Sequence, residues 1–244
     1  MMQQFSTVGM LDLWERASVS LPAERALAIL VASNPERSAT ELDALSVGEC
    51  TDLLLALHEA TFGARLDGFA ECPRCGQALE LALDIPELRS ARAVHPPGDL
   101  LAYRDFEVRF RSLTSADVRA AAGCATVAAA RALLVCRAVL SATRAGRAVA
   151  AGRLPAVVVD RLARRLAEAD PLAEMNLDVL CPECRHRWTV ALDVAAFLWR
   201  EIQHRVRSLL RDVHTLATAY GWGEADIVTM PPRRRAAYLE LARG

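Results

Sequence analysis

The sequence predicts an α+β protein that is mostly helical and contains small β units. Three observations lead to this class. Apolar residues recur at helical spacing near both ends of the chain. Two Cys-Pro-x-Cys pairs lie far apart, and strand-like alternation of apolar and polar residues follows each pair. A third alternating stretch, "DLLAYRDFEVRFRSL", reverses around Asp105, which is typical of a β-hairpin.

The first third of the chain predicts helices. The stretch "MLDLWERA" has amphipathic helical spacing. Pro22 can occupy the first turn of a second helix, because a proline there loses no hydrogen bond. Ser46 and Glu49 have the spacing of a capping box ahead of a further helix, which Gly63 can end.

The middle of the chain alternates between breaks and helices. Pro96-Pro97 predicts a break before the hairpin. Thr114 and Asp117 have the spacing of a helix start after it. The segment from Thr126 to Ala142 predicts one continuous helix, and Pro155 opens another.

The last quarter predicts one long helix followed by a short one. Its apolar seam has near-heptad spacing and consists of Leu198, Ile202, Val206, Leu209, Val213, Leu216 and Tyr220. Gly221 suits the left-handed position that ends such a helix. The final helix is interrupted at Pro231-Pro232, and the cluster from Arg233 to Arg235 is interpreted as a solvated helix face.

Composition excludes several classes of function. The chain has 244 residues and a formal net charge of -1, so no global field favours nucleic acid or an anionic membrane. The start of the chain lacks a signal-peptide pattern, and no apolar run approaches the roughly 18 residues of a spanning helix. We therefore expect a cytoplasmic protein without membrane insertion. No phosphate-binding glycine loop, HExxH or Gly-x-Ser-x-Gly motif is present, so we expect no enzymatic activity.

The seven cysteines divide into two groups. Cys50, Cys124 and Cys136 lie in helical apolar patterns and are interpreted as small core residues. The other four form the two Cys-Pro-x-Cys pairs. An odd number of cysteines in a chain without a signal-peptide pattern argues against a disulfide framework.

The two pairs belong to an internal repeat. "FAECPRCGQALELALDI" aligns with "DVLCPECRHRWTVALDV" at an offset of 109 residues, which places Cys72 and Cys75 on Cys181 and Cys184. Each copy predicts a turn that leads into an alternating strand, which is half of a zinc ribbon. Structural zinc takes four tetrahedral ligands, and the two copies together supply four thiolates. The hypothesis is one structural zinc per chain in a bipartite four-cysteine zinc-ribbon-like β unit, with an inserted hairpin plus helices between the halves.

This hypothesis divides the chain into five segments. They are an N-terminal helical region (1–66), the first zinc-knuckle half (67–85), the inserted hairpin and helices (86–174), the second half (175–194), and the C-terminal long helix with the short final helix (195–244).

Residues around the pairs refine the hypothesis. Gly76 follows the first pair, where a knuckle turn often needs a positive φ. Arg185 occupies the matching place, so the second turn is expected to be less regular. Zinc with four thiolates carries a net charge of about -2, which Arg74, Arg185, His186 or Arg187 can offset from nearby. His186 can also replace a cysteine as ligand.

Two alternatives to the zinc site remain open. A redox pair is disfavoured, because a redox Cys-x-x-Cys precedes a helix and strand-period sequence follows both pairs here. A zinc-ribbon nucleic-acid-binding or regulatory protein is the stronger alternative, since Arg185, His186, Arg187 and Trp188 offer charge and stacking. The net charge argues against it. Trp188 also falls on a strand position and is interpreted as core.

Several blocks together resemble a known family. They are "LDLWERA", "PAERALAIL", "EATFGARLDGFAECPRCG", "LCPECRHRW", "FLWREI", "LLRDVHTLATAYGWGEADIVTM" and "RRRAAYLEL". In these blocks the chain resembles the baseplate proteins and baseplate hub assembly chaperones of tailed phages and phage-tail-like contractile injection systems. The resemblance implies a non-catalytic assembly chaperone or minor structural component. It also implies that the partners are baseplate hub or wedge proteins.

The long apolar seam fits such a role, because it can dock on another helix. The alternative, that the seam packs on the N-terminal helices of this chain, remains open. The candidate partner-binding residues are Leu198, Trp199, Ile202, Trp222 and Tyr238.

Overall fold

The computed structural model describes residues 5–90 and 99–243, and it confirms the predicted α+β class. The described helices are α1 (Thr7–Ala17), α2 (Pro22–Ser33), α3 (Ala39–Asp43), α4 (Val47–Phe62), α5 (Ile85–Ser90), α6 (Ser115–Ala122), α7 (Val127–Ala138), α8 (Ala156–Ala169), α9 (Val194–Tyr220), α10 (Glu224–Thr229) and α11 (Pro232–Arg243). The strands are β1 (Arg65–Glu71), β2 (Ala78–Asp84), β3 (Leu100–Tyr103), β4 (Phe106–Phe110), β5 (Val139–Arg144), β6 (Arg147–Ala148), β7 (Asn176–Leu180) and β8 (Arg187–Ala191). The predicted break at Pro96-Pro97 lies outside the described residues.

The chain forms two compact units. The helical unit consists of the residues up to Glu36 together with those from Ala195 onward. The mixed unit runs from Arg37 to Val194 and contains every strand among the described residues. Two hairpins, β1–β2 and β7–β8, and a four-stranded antiparallel sheet of order β3-β4-β5-β6 make up its β structure.

Local signals in the sequence position the helix ends correctly. The hydroxyl of Ser46 accepts from the N–H of Glu49 at 3.1 Å, and the Glu49 carboxylate accepts from the N–H of Ser46 at 2.8 Å. The predicted capping box at α4 is therefore confirmed. Gly63 ends that helix at φ +107°, and Gly221 follows α9 at φ +71°, in the left-handed region.

A carboxylate from a distant segment also stabilises the start of α4. Asp170 accepts a hydrogen bond from the N–H of Gly48 at 2.9 Å, so a negative charge lies at the positive end of the helix. A Cβ at Gly48 would lie 1.7 Å from Asp170 Oδ1. A side chain at position 48 would therefore displace the Asp170 carboxylate from this position.

The apolar seam of α9 is largely buried, as in Leu198, Ile202 and Leu216, which are all 0% exposed. Near its end, Leu216 packs in a cluster with Ile227 of α10 and Leu239 of α11. Among the described helices, none combines the length and the apolar character needed to cross a membrane.

The interpretation of the arginine cluster on α11 is wrong for one residue. Arg233 and Arg234 are exposed, whereas Arg235 is only 8% exposed. The guanidinium of Arg235 lies 3.5 Å from the carboxylate of Asp212 on α9. This ion pair offsets part of the cost of burying the charge, because a charged side chain is rarely buried without a partner.

The predicted helix from Thr126 to Ala142 is too long. α7 ends at Ala138, and Val139–Arg144 forms β5 instead. Ala142 pairs with Val108 of β4 and is buried, at 6% exposed, in the core between the sheet and α8. Pairing with a strand distant in sequence therefore overrides the local helix preference of this segment.

A buried carboxylate, Asp117 of α6, organises the region where β4, α6 and α7 meet. Asp117 is 1% exposed. Its oxygens accept hydrogen bonds from Arg111 at 2.7 Å, from Arg137 at 3.1 Å and from the N–H of Thr114 at 3.0 Å. Burial acts to raise the pKa of Asp117, but these bonds outweigh it and hold the pKa well below its usual range.

We expect the substitution Asp117→Asn to lower the free energy of unfolding by about 2 kcal/mol at pH 7, because two charge-assisted hydrogen bonds are lost. The pKa of Asp117 is lower in the folded protein than in the unfolded chain, where it is about 4. Ionised Asp117 therefore stabilises the fold above about pH 4, and this stabilisation decreases as the pH falls below that value. The difference between wild type and variant should therefore shrink between about pH 5 and pH 3. Urea unfolding of both proteins across this range measures it.

The matched control is Asp160→Asn, which removes the exposed pair between Arg131 and Asp160. An exposed pair contributes less than about 1 kcal/mol, so this variant should unfold close to wild type. Equal stability of wild type and Asp117→Asn, or a difference that does not change with pH, would contradict the role assigned to Asp117.

Candidate metal centre

Each Cys-Pro-x-Cys pair lies in the turn at the tip of a β-hairpin. The first turn joins β1 to β2, where Glu71 pairs with Ala78. The second joins β7 to β8, where Leu180 pairs with Arg187. These closing pairs occupy equivalent positions in the 109-residue repeat, so the repeat in the sequence corresponds to a repeat in the structure.

The two turns contain the same backbone hydrogen bonds. In each turn, the N–H of the first cysteine donates to the carbonyl of the residue five positions later. The carbonyl of the same cysteine accepts from the N–H of the residue four positions later. The bonds are Cys72 to Gln77 at 2.9 Å and Gly76 to Cys72 at 2.9 Å in the first turn, and Cys181 to His186 at 2.9 Å and Arg185 to Cys181 at 3.0 Å in the second.

The second turn is as regular as the first, so the prediction that Arg185 would disturb it is wrong. Gly76 has φ +73°, and Arg185 has φ +55° at the matching place. A non-glycine residue in the left-handed region costs roughly 1–2 kcal/mol. The knuckle geometry is therefore kept in the second hairpin despite a local cost, which indicates that interactions of the turn outweigh the strain.

The two turns bring the four sulfur atoms together. The Sγ atoms of Cys72 and Cys184 lie 3.6 Å apart, as do those of Cys75 and Cys181. All four lie within 4.8 Å of one another. A disulfide needs about 2.05 Å, so these are free thiols. A tetrahedral ion with metal–sulfur bonds of about 2.3 Å needs sulfurs about 3.8 Å apart. The cluster therefore has the dimensions for one metal ion.

Burial differs among the four ligands. Cys72 is 1% exposed and Cys181 is 0% exposed, whereas Cys184 is half-buried and Cys75 is exposed. The first cysteine of each pair thus faces the protein, and the second is closer to solvent. This gradient is that of a site at the surface of the mixed unit with a protected inner side.

The thiols affect one another electrostatically. Desolvation acts to raise the pKa of Cys72, but hydrogen bonds from backbone N–H groups of its turn and from neighbouring thiols lower it to about 7. The N–H of Gln77 acts to lower the pKa of Cys75, yet hydrogen bonding to Cys184, desolvation and the other thiols raise it to about 12. Ionisation of Cys72 is therefore favoured, whereas ionisation of the neighbouring Cys75 is disfavoured. A cation among the sulfurs relieves this repulsion, so the donor set fits a metal.

The basic residues expected near the site lie on the same turns or just after them. Arg74, Arg185 and Arg187 are exposed. The ring of half-buried His186 stacks on that of Trp188, with centroids 6.0 Å apart and an interplanar angle of 8°. His186 is not part of the ligand cluster found among the described residues, which consists of the four cysteines.

Some predicted core residues are more exposed than expected. Trp188 is half-buried rather than fully buried, as is Leu79 at the matching position of the first hairpin. Of the three remaining cysteines, Cys50 is buried, Cys124 is half-buried and Cys136 is exposed. The core interpretation therefore holds for Cys50 and is wrong for Cys136, which lies on the solvent side of α7.

The candidate partner-binding residues are mostly not available to a partner. Leu198 and Ile202 are 0% exposed, and Trp199 is 5% exposed beneath the guanidinium of Arg25, 5.3 Å from its ring. The chain itself covers these three residues, so they present little surface to a partner in this structure. Trp222 and Tyr238 are half-buried, with ring centroids 4.8 Å apart in an edge-to-face arrangement.

Comparison with known proteins adds no relative. No protein-family model matches the chain, and no curated protein or solved structure matches it. Fold and site nevertheless define a class: an α+β protein in which two Cys-Pro-x-Cys hairpins, distant in sequence, form one four-cysteine cluster that can hold a metal ion.

Proposed function

We propose that the four cysteines bind one structural zinc ion per chain. The observation that carries this proposal is the approach of all four Sγ atoms to within 4.8 Å of one another. Four soft thiolates in a tetrahedral arrangement are a ligand set typical of structural zinc. Four protein ligands also complete a tetrahedral shell and leave no position for substrate, as in structural rather than catalytic sites.

Bound zinc would cross-link the chain through four zinc–thiolate bonds. The residues of the chain orient these thiolates through the two hairpins, whose turns are separated by 105 residues between Cys75 and Cys181. Joining such distant segments restricts the unfolded chain, and the free energy of metal binding adds to the free energy of folding. The ion therefore serves to hold the two halves of the repeat together.

We expect the purified protein to contain about one zinc per chain, as a closed four-cysteine site requires. Cys181→Ser should lose the metal and lower the melting temperature, because a buried ligand is removed from the shell. Cys136→Ser is the matched control, since Cys136 is exposed and outside the cluster. Elemental analysis and thermal unfolding measure both quantities. The site would be refuted if wild-type protein contained no metal while its four cluster cysteines were reduced, and if Cys181→Ser left the melting temperature unchanged.

We further propose that the protein is a non-catalytic assembly chaperone or minor structural component of the baseplate of a phage-tail-like contractile injection system. The support is the set of sequence blocks that resemble baseplate proteins. Two of these blocks contain the cysteine turns. The C-terminal blocks contain Leu216, Ile227 and Leu239, which form a buried cluster of the helical unit. The resembling blocks thus include the cysteine turns and part of the buried core of the helical unit.

In this role the protein binds baseplate hub or wedge proteins while the particle assembles. Its metal centre keeps the mixed unit folded, and the contacts with partners come from exposed surfaces rather than from the buried seam of α9. The buried residues of that seam instead stabilise this chain.

Deleting the gene in a bacterium that produces the particles tests this role. We expect tail-like particles to be absent or to lack complete baseplates in electron micrographs, because a required assembly component is missing. Complementation with Cys136→Ser should restore them, and complementation with Cys181→Ser should not, since the latter lacks the metal. Normal particles that contain none of this protein would refute the assembly role.

A zinc-ribbon nucleic-acid-binding or regulatory protein is the second candidate. It is favoured by a cavity of about 270 Å³ on the β7–β8 hairpin, which Arg187 and Trp188 help to line. Asp178 lines the same cavity, and the chain has a net charge of -1, so the first candidate ranks higher. Binding to single-stranded nucleic acid that weakens steeply with salt would favour this second candidate.

A further inference from the structure

One face of the β1–β2 hairpin carries an aromatic side chain that is mostly exposed to solvent. Phe69 lies in the middle of β1 and is 77% exposed. Directly opposite it on β2 is Glu80. Side chains of directly paired residues share a face, and alternate residues along a strand do so too. The face around Phe69 consists of Arg65, Asp67, Phe69, Glu71, Ala78, Glu80, Ala82 and Asp84, all exposed.

This Phe69 face is acidic. Arg65 is its one cation and lies 3.6 Å from Asp67. Asp84 accepts a hydrogen bond from the N–H of Glu87 at 3.0 Å, at the start of α5. Glu71 and Glu80 have no ion pair with any residue that the structure describes. Two uncompensated carboxylates therefore lie beside the exposed ring, one on its own strand and one across from it.

The repeat provides an internal comparison that separates this face from the needs of the fold. In the second hairpin, Asp178 occupies the position of Phe69, and Thr189 occupies that of Glu80. The hydroxyl of Thr189 donates to the Asp178 carboxylate at 3.3 Å. The same hairpin with the same cysteine turn thus forms with a polar, mutually bonded pair. Neither the hairpin nor the cysteine cluster requires a phenylalanine at this place.

We propose that the Phe69 face binds a basic segment of another protein. An apolar side chain of that segment packs on the ring of Phe69, and flanking lysine or arginine side chains pair with Glu71 and Glu80. Exposed aromatic side chains are typical anchors of interfaces, and opposite charges around an anchor guide association and fix its register. The negative charge of the face disfavours nucleic acid and anionic lipid as occupants.

The inference rests on the first hairpin alone and does not depend on the baseplate role. It also assigns partner binding to a surface that the sequence did not indicate. The pattern "RLDGFAE" predicts neither the exposure of Phe69 nor the identity of the residue across from it. Both depend on the register with β2 and on which face of the hairpin packs against the rest of the chain.

Selection from a displayed library of random peptides tests the proposal on the full-length, metal-loaded protein. Peptides retained by wild type and not by Phe69→Thr should carry lysine or arginine on both sides of an apolar residue. Synthetic copies of these peptides should bind Phe69→Thr at least about tenfold more weakly than wild type, as expected for loss of an aromatic anchor. Their affinity should also fall with added salt and with the double substitution Glu71→Gln and Glu80→Gln.

Leu180→Thr on the second hairpin is the matched control, because Leu180 is 50% exposed on the equivalent face. It should leave peptide binding unchanged. The proposal is overturned if no peptide depends on Phe69, if the selected peptides lack basic residues, or if Leu180→Thr weakens binding as much as Phe69→Thr. Sedimentation of the protein alone adds a further outcome: Phe69-dependent self-association would assign the face to a second copy of the chain instead.

Discussion

The approach of four cysteine sulfurs from two hairpins distant in sequence is the constraint on which the proposed metal centre depends. The two turns bring the sulfurs of Cys72 and Cys184 to 3.6 Å, and those of Cys75 and Cys181 to the same distance. Such a cluster is unfavourable once several thiols ionise, unless a cation lies among them. With a cation bound, the same cluster would link two segments separated by more than a hundred residues. The proposed zinc ion thus converts a source of repulsion into a cross-link.

The internal repeat separates the features that the two hairpins share from those that differ between them. Both copies keep the hairpin register, the turn hydrogen bonds and the left-handed residue after the second cysteine, even where that residue is Arg185 instead of Gly76. The outward faces have diverged. One carries a bonded polar pair, and the other carries the exposed ring of Phe69 among carboxylates. Conserved turns and divergent faces are consistent with one role in folding and another in binding.

Local and repeated patterns were predictable from the sequence, and pairings between distant segments were not. The Ser46–Glu49 capping box depends on residues three positions apart, and the cysteine cluster followed from matching the two copies. By contrast, Ala142 belongs to a strand because β4 pairs with its segment, although its neighbours favour helix. Arg235 is buried, and its ion-pair partner, Asp212, belongs to another helix. Neither partner is apparent from local spacing.

X-ray absorption spectroscopy at the zinc edge of the purified protein tests the central claim most directly, because it counts the ligands and measures their distances. Binding of one zinc by Cys72, Cys75, Cys181 and Cys184 predicts four sulfur neighbours at about 2.3 Å and no lighter ligand. A first shell that contains nitrogen or oxygen at about 2.0–2.2 Å, or a protein without zinc, would contradict the four-cysteine cross-link.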